Sequence, residues 1–319
     1  MEDISISIIV PTYNREHILC KTINSILSEC ACVSSKGIQT ELIIVDQTKE
    51  HTDINTTNYL RRIVLNDNVK YIFLEEPNLP KARNRGLSCC RGDIVLFLDD
   101  DVILDSNFLM NLYHTYDDKS IDSVVGRITL CAAESGNILL ENGSVLKKIV
   151  KSILSSFFLR SKPSVIAKSG IVLCEFSKDA PSITDGGRGC CMSFKRSIFD
   201  VTGGFDGNYY GNALREETDL FVRLKKNNMI VYYNPDVHLF HMMANTGGTR
   251  TQANNKYWKT YFDNQTYFFY KNFAASFPKI FVFLFFDICK TIAQGLNPFR
   301  MIKNSLNRAK SLVISRREC

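Results

Sequence analysis

The segment GDIVLFLDDD (residues 92–101) decides the fold. Its central run of five apolar residues, IVLFL, predicts a short strand covered on both faces, as in the middle of a parallel sheet. Three consecutive aspartates follow, and because burying an unpaired carboxylate costs free energy, they belong where the strand ends. The segment therefore predicts a covered sheet with an acidic cluster at one edge.

Similar apolar strands alternate with helices on both sides of this segment, which predicts an α/β protein with a mostly parallel sheet flanked by helices. Ligands of such sheets bind beyond the carboxyl ends of the strands. Polar groups follow three predicted strands there, at residues 12–15, 46 and 99–101. We expect His238 and His241 in a loop after the last strand, and a further helix over the site at 147–160. The predicted strands span 4–10, 41–45, 69–74, 93–98, 188–194 and 230–233, and the predicted helices span 15–29, 54–66, 80–90 and 214–228.

The composition is that of a globular protein. The chain has 319 residues, 45% hydrophobic and 23% charged, which excludes a disordered chain or a collagen-like fibre. The whole net charge of +6 comes from residues 290–319, where seven Lys and Arg face one acid. Because the remainder is neutral, nucleic acid is not the expected partner. Eleven cysteines without a CxxC pair, and an acidic start without an export signal, predict reduced thiols in a cytoplasmic protein.

The three aspartates admit two interpretations. Adjacent negative charges repel each other, and a divalent cation that prefers oxygen ligands, Mg²⁺ or Mn²⁺, would relieve the repulsion and bridge to a diphosphate. The alternative is a solvated acidic turn that caps a helix beginning near Ser106. The sequence contains neither a P-loop nor a GxGxxG after its first strand, so a P-loop NTPase or a Rossmann dehydrogenase is poorly supported.

Six motifs occur in order along the chain. They are IIVPTYNR (8–15), ELIIVDQT (41–48), NLPKARNRGL (78–87), GDIVLFLDDD (92–101), GGFDGNY (203–209) and REETDLFVRL (215–224). Together, over about residues 4–250, they resemble a family 2 glycosyltransferase with the GT-A fold. The resemblance implies a Rossmann-like GT-A domain that transfers a sugar, with inversion, from a nucleotide-diphosphate sugar to a hydroxyl. It also implies a divalent metal cofactor, Mg²⁺ or Mn²⁺.

On the donor side, the resemblance implies that Pro11, Tyr13, Arg15 and Asp46 line the nucleoside pocket, with Asp46 holding the base. The family often has a second acid after this aspartate, where this chain has Gln47. Arg83 or Asn84 of the ARNRG segment would face the nucleotide.

The resemblance also assigns the acidic cluster. Asp99 and Asp101 match the outer positions of the family's DxD motif, so Asp101 would bind the metal, with Asp99 or Asp100 nearer the ribose and the donor sugar. His241, in HLFHMMANTGGTR, would complete the metal site, although His238 competes for this role. Arg250 would neutralise phosphate charge, and the metal ligands would be Asp99, Asp101 and His241.

Glu217 is the candidate catalytic base. It matches the second acid of the family's ED motif, where Asp is more common, and would remove the proton of the acceptor hydroxyl. Without the resemblance, Glu216, Glu217 and Asp219 could equally complement the dipole of a helix in its first turn. Arg188, after Gly186-Gly187, would touch the donor or the acceptor, although these glycines could also simply permit tight turns.

We predict two regions: a catalytic domain over 1–250 and a helical extension over 251–319. Nucleotide-sugar binding would use about 4–101, and the acceptor side about 180–250. Residues 257–286 hold 14 of the aromatic residues, and a basic tail follows. These features fit an interfacial helix on an anionic membrane at the inner face of the cell membrane, or a helical pair that packs on the catalytic domain or on a second subunit in a homodimer.

The leading hypothesis is a hexosyl- or deoxyhexosyltransferase that acts on a glycan or lipid-linked acceptor in surface polysaccharide biosynthesis. Two alternatives stay open. One is a non-catalytic GT-A-like binding or scaffold protein, although the acids and His241 are all present. The other is a nucleotidyltransferase, which would want a glycine- and arginine-rich loop where this chain has PTYNR.

Overall fold

The computed structural model describes residues 4–132, 162–167, 170–243, 248, 255–273, 284–285, 288–289, 291–292 and 297–315. The helix predicted at 147–160 and the candidate Arg250 therefore lie outside the described residues.

Strands and helices alternate through the first half of the described chain, as predicted. The strands are β1 (Ile6–Thr12), β2 (Thr40–Asp46), β3 (Val69–Phe73), β4 (Ile94–Leu98), β5 (Val102–Leu104) and β6 (Ser123–Ala132). The helices among them are α1 (His17–Ser34), α2 (Ile54–Ile63), α3 (Leu79–Leu87) and α4 (Phe108–Thr115). The second half contains β7 (Ser164–Ile166), β8 (Val172–Cys174), β9 (Ser182–Thr184), β10 (Cys191–Lys195), α5 (Ile198–Thr202), α6 (Glu216–Lys226), β11 (Val231–Met243), α7 (Asn255–Phe273) and α8 (Pro298–Ser315).

Local sequence signals explain where several helices begin. Asp53 caps α2, because its carboxylate accepts hydrogen bonds from the backbone N–H groups of Asn55 and Thr56. Asn78 caps α3 by accepting from the N–H of Lys81, and Pro80 lies in the first turn, where no intrahelical hydrogen bond is lost. The backbone N–H of Asn78 also donates to Gln47 Oε1 at 2.6 Å, so α3 begins beside the end of β2.

A nine-stranded mixed sheet forms the core. Its order is β3-β2-β1-β4-β10-β6-β11-β5, with β9 paired to β11, and the first four strands run parallel. The residues of β1, β2 and β4 are nearly all fully buried, because helices cover the sheet. This arrangement confirms the predicted mixed, mostly parallel sheet flanked by helices.

Strand β11 corrects one prediction. The last strand was expected to end at 233, before a loop with His238 and His241, but β11 extends to Met243 and contains both histidines. The pairing of β11 with β6 is irregular between Asn234 and His238, a stretch that contains Pro235, and the parallel pairing then resumes. A bulge absorbs a proline that an uninterrupted ladder would not accept.

Helices α7 and α8 pack against each other and against the rest of the chain. Much of the aromatic stripe of α7 is buried, including Trp258, Phe262 and Phe268, and Arg308 of α8 donates a hydrogen bond to the carbonyl of Asn208 at 2.6 Å. The described residues of α7 and α8 therefore form a helical pair that packs on the earlier part of the chain. No helix among the described residues is both long and apolar enough to span a membrane.

Candidate active site

A cavity of about 490 Å³ opens where β1 and β4 end. It lies at the carboxyl ends of parallel strands, where open α/β sheets bind their ligands. Several residues singled out from the sequence meet in its lining, namely Pro11, Tyr13, Arg15, Asp99, Asp100, Asp101 and His241. The cavity thus joins the first strand, the acidic cluster and a histidine 140 residues further along the chain.

The three aspartates do not share one environment. The Asp100 carboxylate accepts a hydrogen bond from Thr12 Oγ1 at 2.7 Å, and Arg15 Nε lies 3.5 Å from its other oxygen. Burial, together with the charge of Asp101, raises the pKa of Asp100 to about 7. Asp100 therefore has internal partners on both carboxylate oxygens, whereas Asp99 is the most exposed of the three, with 31% of its side chain accessible.

Asp101 and His241 are brought together by strand pairing. Strand β11 runs antiparallel to β5, which places His241 opposite Val102, and the backbone N–H of Met242 donates to the carbonyl of Asp101 at 2.7 Å. As a result, His241 Nε2 lies 2.9 Å from Asp101 Oδ1. Burial alone would lower the pKa of His241, but hydrogen bonds to Asp101 and Cys190 outweigh burial and raise this pKa to about 11.

Asp99, Asp101 and His241 form a cluster that could hold a metal ion. One ligand atom from each residue lies within 4.8 Å of the other two. Two carboxylates and an imidazole suit a divalent cation, and a nitrogen ligand favours Mn²⁺ over Mg²⁺. The competing histidine, His238, faces another partner, since its Nδ1 lies 2.7 Å from Asp105 Oδ2.

Arg83 is buried beneath this cluster and does not belong to the cavity lining. Its guanidinium pairs with Glu216, lies 3.3 Å from Asp99 Oδ1, and donates to the carbonyl of Gly189 at 3.0 Å. A side chain at Gly189 would put its Cβ 2.7 Å from Arg83 Nη2, so the glycine permits this close approach. Burial lowers the pKa of Arg83, while the charges of Asp99 and Glu217 act in the opposite direction.

Glu217 lies in the first turn of α6, next to Glu216, and is half-buried. Its charge acts on Arg83, which also contacts Asp99, although Glu217 itself is not a lining residue of the cavity. Among the described residues, its carboxylate has no hydrogen bond or ion pair. An uncommitted carboxylate near the acidic cluster is chemically able to accept a proton.

The remaining sequence candidates take other positions. Asp46 is fully buried, and its oxygens contact the N–H of Thr48, His51 Nε2 and the Tyr71 hydroxyl. Asn84 exchanges two hydrogen bonds with the backbone of Phe205, both at 2.7 Å. Half-buried Arg188 lies before β10; like Asp46 and Asn84, it is absent from the cavity lining.

The cavity also includes residues that the sequence reasoning missed. Gln47 lines it where Asp46 was expected, and its side-chain Oε1 accepts a hydrogen bond from the backbone N–H of Asn78 at 2.6 Å. Lys256, exposed at the start of α7, brings a positive charge from the C-terminal extension. No local motif distinguishes Lys256 from its neighbour Lys259, so only the path of the chain reveals its place.

The fold is the GT-A fold of glycosyltransferases. The crystal structure of GalNAc-T7 with UDP, GalNAc and Mn²⁺ superposes on 85% of this chain and 50% of its own, with a TM-score of 0.61 at 14% identity. The protein-family model described as glycosyl transferase family 2 matches residues 7–167, about half of the chain. The chain therefore belongs to glycosyl transferase family 2, as the motifs predicted.

Two curated relatives illustrate the family. One is the poly(ribitol-phosphate) beta-N-acetylglucosaminyltransferase TarP of Staphylococcus aureus (strain N315), 29% identical over 187 residues that cover 55% of this chain and 54% of the relative. The other is the GalNAc(5)-diNAcBac-PP-undecaprenol beta-1,3-glucosyltransferase of Campylobacter jejuni subsp. jejuni serotype O:2 (strain ATCC 700819 / NCTC 11168). It is 28% identical over 226 residues, which cover 69% of this chain and 60% of the relative. The chain thus spans little more than half the length of these relatives.

Proposed function

We propose that this protein is a metal-dependent glycosyltransferase that moves a sugar from a nucleotide-diphosphate sugar to an acceptor hydroxyl, with inversion. The observation that carries the proposal is the convergence of Asp99, Asp101 and His241 at one cavity. Three potential ligands beside Arg15 and Lys256 are difficult to explain as a solvated acidic turn, because Asp101 and His241 are largely buried. They are well suited to a cation that binds a diphosphate.

The cavity offers separate places for the parts of the donor. Pro11, Tyr13 and Gln47 would provide a mixed apolar and polar surface for the nucleoside, and the three aspartates line the same cavity. Lys256 has no acidic partner among the described residues, so its charge is available to the diphosphate. Arg15 is already paired with Asp100 and Asp101 and would hold these acids in place.

The metal, preferably Mn²⁺, would be held by Asp99, Asp101 and His241, and when bound it would neutralise charge on the diphosphate. Glu217 would take the proton of the acceptor hydroxyl. The hydroxyl oxygen then forms a bond to the anomeric carbon, while the bond from that carbon to the diphosphate oxygen breaks and its electron pair leaves with the diphosphate. Attack opposite the leaving group inverts the anomeric configuration.

The acceptor is proposed to be a surface glycan or its lipid-linked precursor. Support comes from the relatives, whose names specify poly(ribitol-phosphate) in one case and an undecaprenol-linked glycan in the other. A scaffold protein without activity would not need the metal-ligand set or an uncommitted Glu217. The donor sugar would be a hexose or deoxyhexose, delivered in the cytoplasm.

A lipid-linked acceptor would bring the enzyme to the membrane, and we propose that α8 contacts an anionic membrane surface. Helix α8 contains no acidic residue, and its exposed positions include Arg300, Lys303 and Lys310 together with Phe299 and Ile314. Basic and apolar side chains on one face are typical of interfacial helices.

Flotation with vesicles tests the membrane proposal. Wild-type protein should float with vesicles rich in anionic lipid but not with zwitterionic ones. Replacing Arg300, Lys303 and Lys310 by Gln should abolish flotation, whereas replacing the exposed Lys36, Lys49 and Arg61 by Gln removes the same charge elsewhere and should not. Equal flotation of the two triple variants would exclude α8 as the contact.

Release of nucleoside diphosphate tests the proposed reaction. Purified protein is incubated with a panel of UDP-, GDP- and dTDP-sugars, with a mixture of glycan acceptors and with or without Mn²⁺. At least one donor should release diphosphate in a Mn²⁺-dependent reaction, and the Asp99→Asn variant should be strongly impaired. A panel in which Asp99→Asn matches wild type with every active donor would contradict the proposed site.

A further inference from the structure

The segment that leads into α6, residues 206–219, carries Glu217 and has an unusual backbone. Ala213 and Arg215 adopt left-handed φ values of 49° and 76°, although neither is glycine. Such conformations cost about 1–3 kcal/mol each and persist only where surrounding contacts fix them. We call residues 206–219 the base segment.

Helix α7 of the C-terminal extension contacts the base segment along its whole length. In the first half of the base segment, the Tyr210 hydroxyl donates to Asp263, and Asn264 Nδ2 donates to the carbonyl of Tyr210 at 2.8 Å. Close to Glu217, Arg215 Nε donates to Gln265 Oε1 at 2.8 Å, and its guanidinium lies 5.5 Å from the centre of the Phe268 ring. One of the two left-handed residues is therefore held directly by α7.

Lys271 of α7 binds both ends of the base segment. Its Nζ lies 2.8 Å from Asp206 Oδ2 and 2.8 Å from Asp219 Oδ2, and both aspartates are buried. Asn272 adds a hydrogen bond to Asp219 Oδ1 at 2.8 Å. Because two buried carboxylates share this ammonium group, Lys271 fixes the distance between the start of the segment and the first turn of α6.

We infer that α7 is a positioning element of the active site, which holds Glu217 in place through Lys271 and Gln265. This inference rests on the proposed role of Glu217 as the base. The C-terminal extension is then part of the catalytic machinery, even though none of these α7 side chains is expected to touch the substrate. Lys271 and Gln265 act through the base segment and not on the reacting atoms.

The chain provides a matched control for Lys271. Lys226, at the far end of α6, also joins α6 to α7, since its Nζ donates to the carbonyl of Asn272 at 3.3 Å. It is exposed and lies nine residues, or about two and a half helical turns, from Glu217. Lys226→Met therefore removes a lysine from the same pair of helices without touching the base segment.

Hydrogen exchange of the backbone amides in residues 213–220 measures directly how firmly α7 holds the base segment. It does not require a sugar donor. We expect faster exchange there in Lys271→Met and in Gln265→Met, and wild-type exchange in Lys226→Met. Gln265→Met leaves both ion pairs of Lys271 intact, so it serves if Lys271→Met does not fold. Unchanged exchange in Lys271→Met, or equal acceleration in Lys226→Met, would overturn the inference.

Steady-state kinetics, measured with a sugar donor that the wild-type protein uses, then show whether the contacts from α7 to the base segment matter for catalysis. Lys271→Met should lower kcat roughly tenfold or more, but by no more than the factor of about 10²–10⁴ that a general base contributes. The KM for the donor and the Mn²⁺ affinity should stay unchanged, and Lys271→Arg should restore most of kcat.

A double-mutant cycle connects this effect to Glu217. If Lys271 acts through Glu217, Lys271→Met should cost almost nothing further in a Glu217→Gln background. Full additivity would refute that route of action. If wild-type protein turns over no donor, the proposed function fails, whereas the exchange experiment still decides whether α7 holds the base segment.

Discussion

The proposed metal site of Asp99, Asp101 and His241 gives the sharpest prediction, because the loss of Mn²⁺ binding can be measured without knowing the substrate. Asp101→Asn removes one of the two carboxylates in the set of Asp99, Asp101 and His241. The fold should survive, since Arg15 keeps its contact with Asp100 at 3.5 Å. We therefore expect normal folding but a loss of Mn²⁺ binding.

The size of the effect follows from ligand linkage. At a Mn²⁺ concentration 100 times the dissociation constant, binding stabilises the folded protein by about 2.7 kcal/mol. With about 2 °C per kcal/mol for a chain of this size, the melting temperature should rise by about 5 °C. If Asp101→Asn weakens binding about 100-fold, the stabilisation at the same concentration falls to about 0.4 kcal/mol, which is a rise of less than about 1 °C.

Differential scanning fluorimetry with and without Mn²⁺ measures both values. Asp105→Asn is the matched control, because Asp105 pairs with His238 at 2.7 Å in the same way as Asp101 pairs with His241, but outside the cavity. This control should keep the full shift. A full shift in Asp101→Asn, or its equal loss in Asp105→Asn, would refute the assignment of the metal site.

Three further predictions concern the base, the diphosphate and the support from α7. Glu217→Gln should lower kcat by about 10²–10⁴ while Mn²⁺ affinity is unchanged, and a variant with wild-type nucleoside diphosphate release would remove Glu217 as the base. Lys256→Gln should weaken calorimetric binding of nucleoside diphosphate about tenfold, the size of a modest charge-assisted contact. Lys259→Gln, one turn further along α7, should bind like wild type, and neither substitution should alter binding of the uncharged nucleoside. Burial acts to raise the pKa of Asp206, but the charge of Lys271 and the hydrogen bonds from Lys271, Asn208 and Tyr267 together outweigh burial, so the pKa lies below its usual value. The stability from this group is present above about pH 4 and is lost as the pH falls through the lowered pKa. Lys271→Met should consequently lower the free energy of unfolding by about 3 kcal/mol at pH 7, with a smaller difference near pH 3 in urea titrations. A difference that does not depend on pH would contradict the ion-pair explanation.

The sequence alone predicted the elements whose signals are local. The apolar run before residue 99 was predicted as a strand and is β4, and the helices predicted at 54–66 and 80–90 are α2 and α3. The six ordered motifs also identified the family, which the family model confirms over residues 7–167. These features depend on neighbours within a few residues, so they can be recognised without coordinates.

The tertiary structure decided which of these residues meet. His241 reaches Asp101 because β11 continues past an irregular stretch and pairs with β5, whereas the sequence predicted that the strand ended at 233. Asp46 turned inward to His51 and Tyr71, while Gln47 faces the cavity. Helix α7 supplies Lys256 to the cavity and Lys271 to the base segment, because its aromatic face is buried against the protein. Each of these contacts joins residues that are distant in the chain or depends on which way a side chain turns, and local pattern specifies neither.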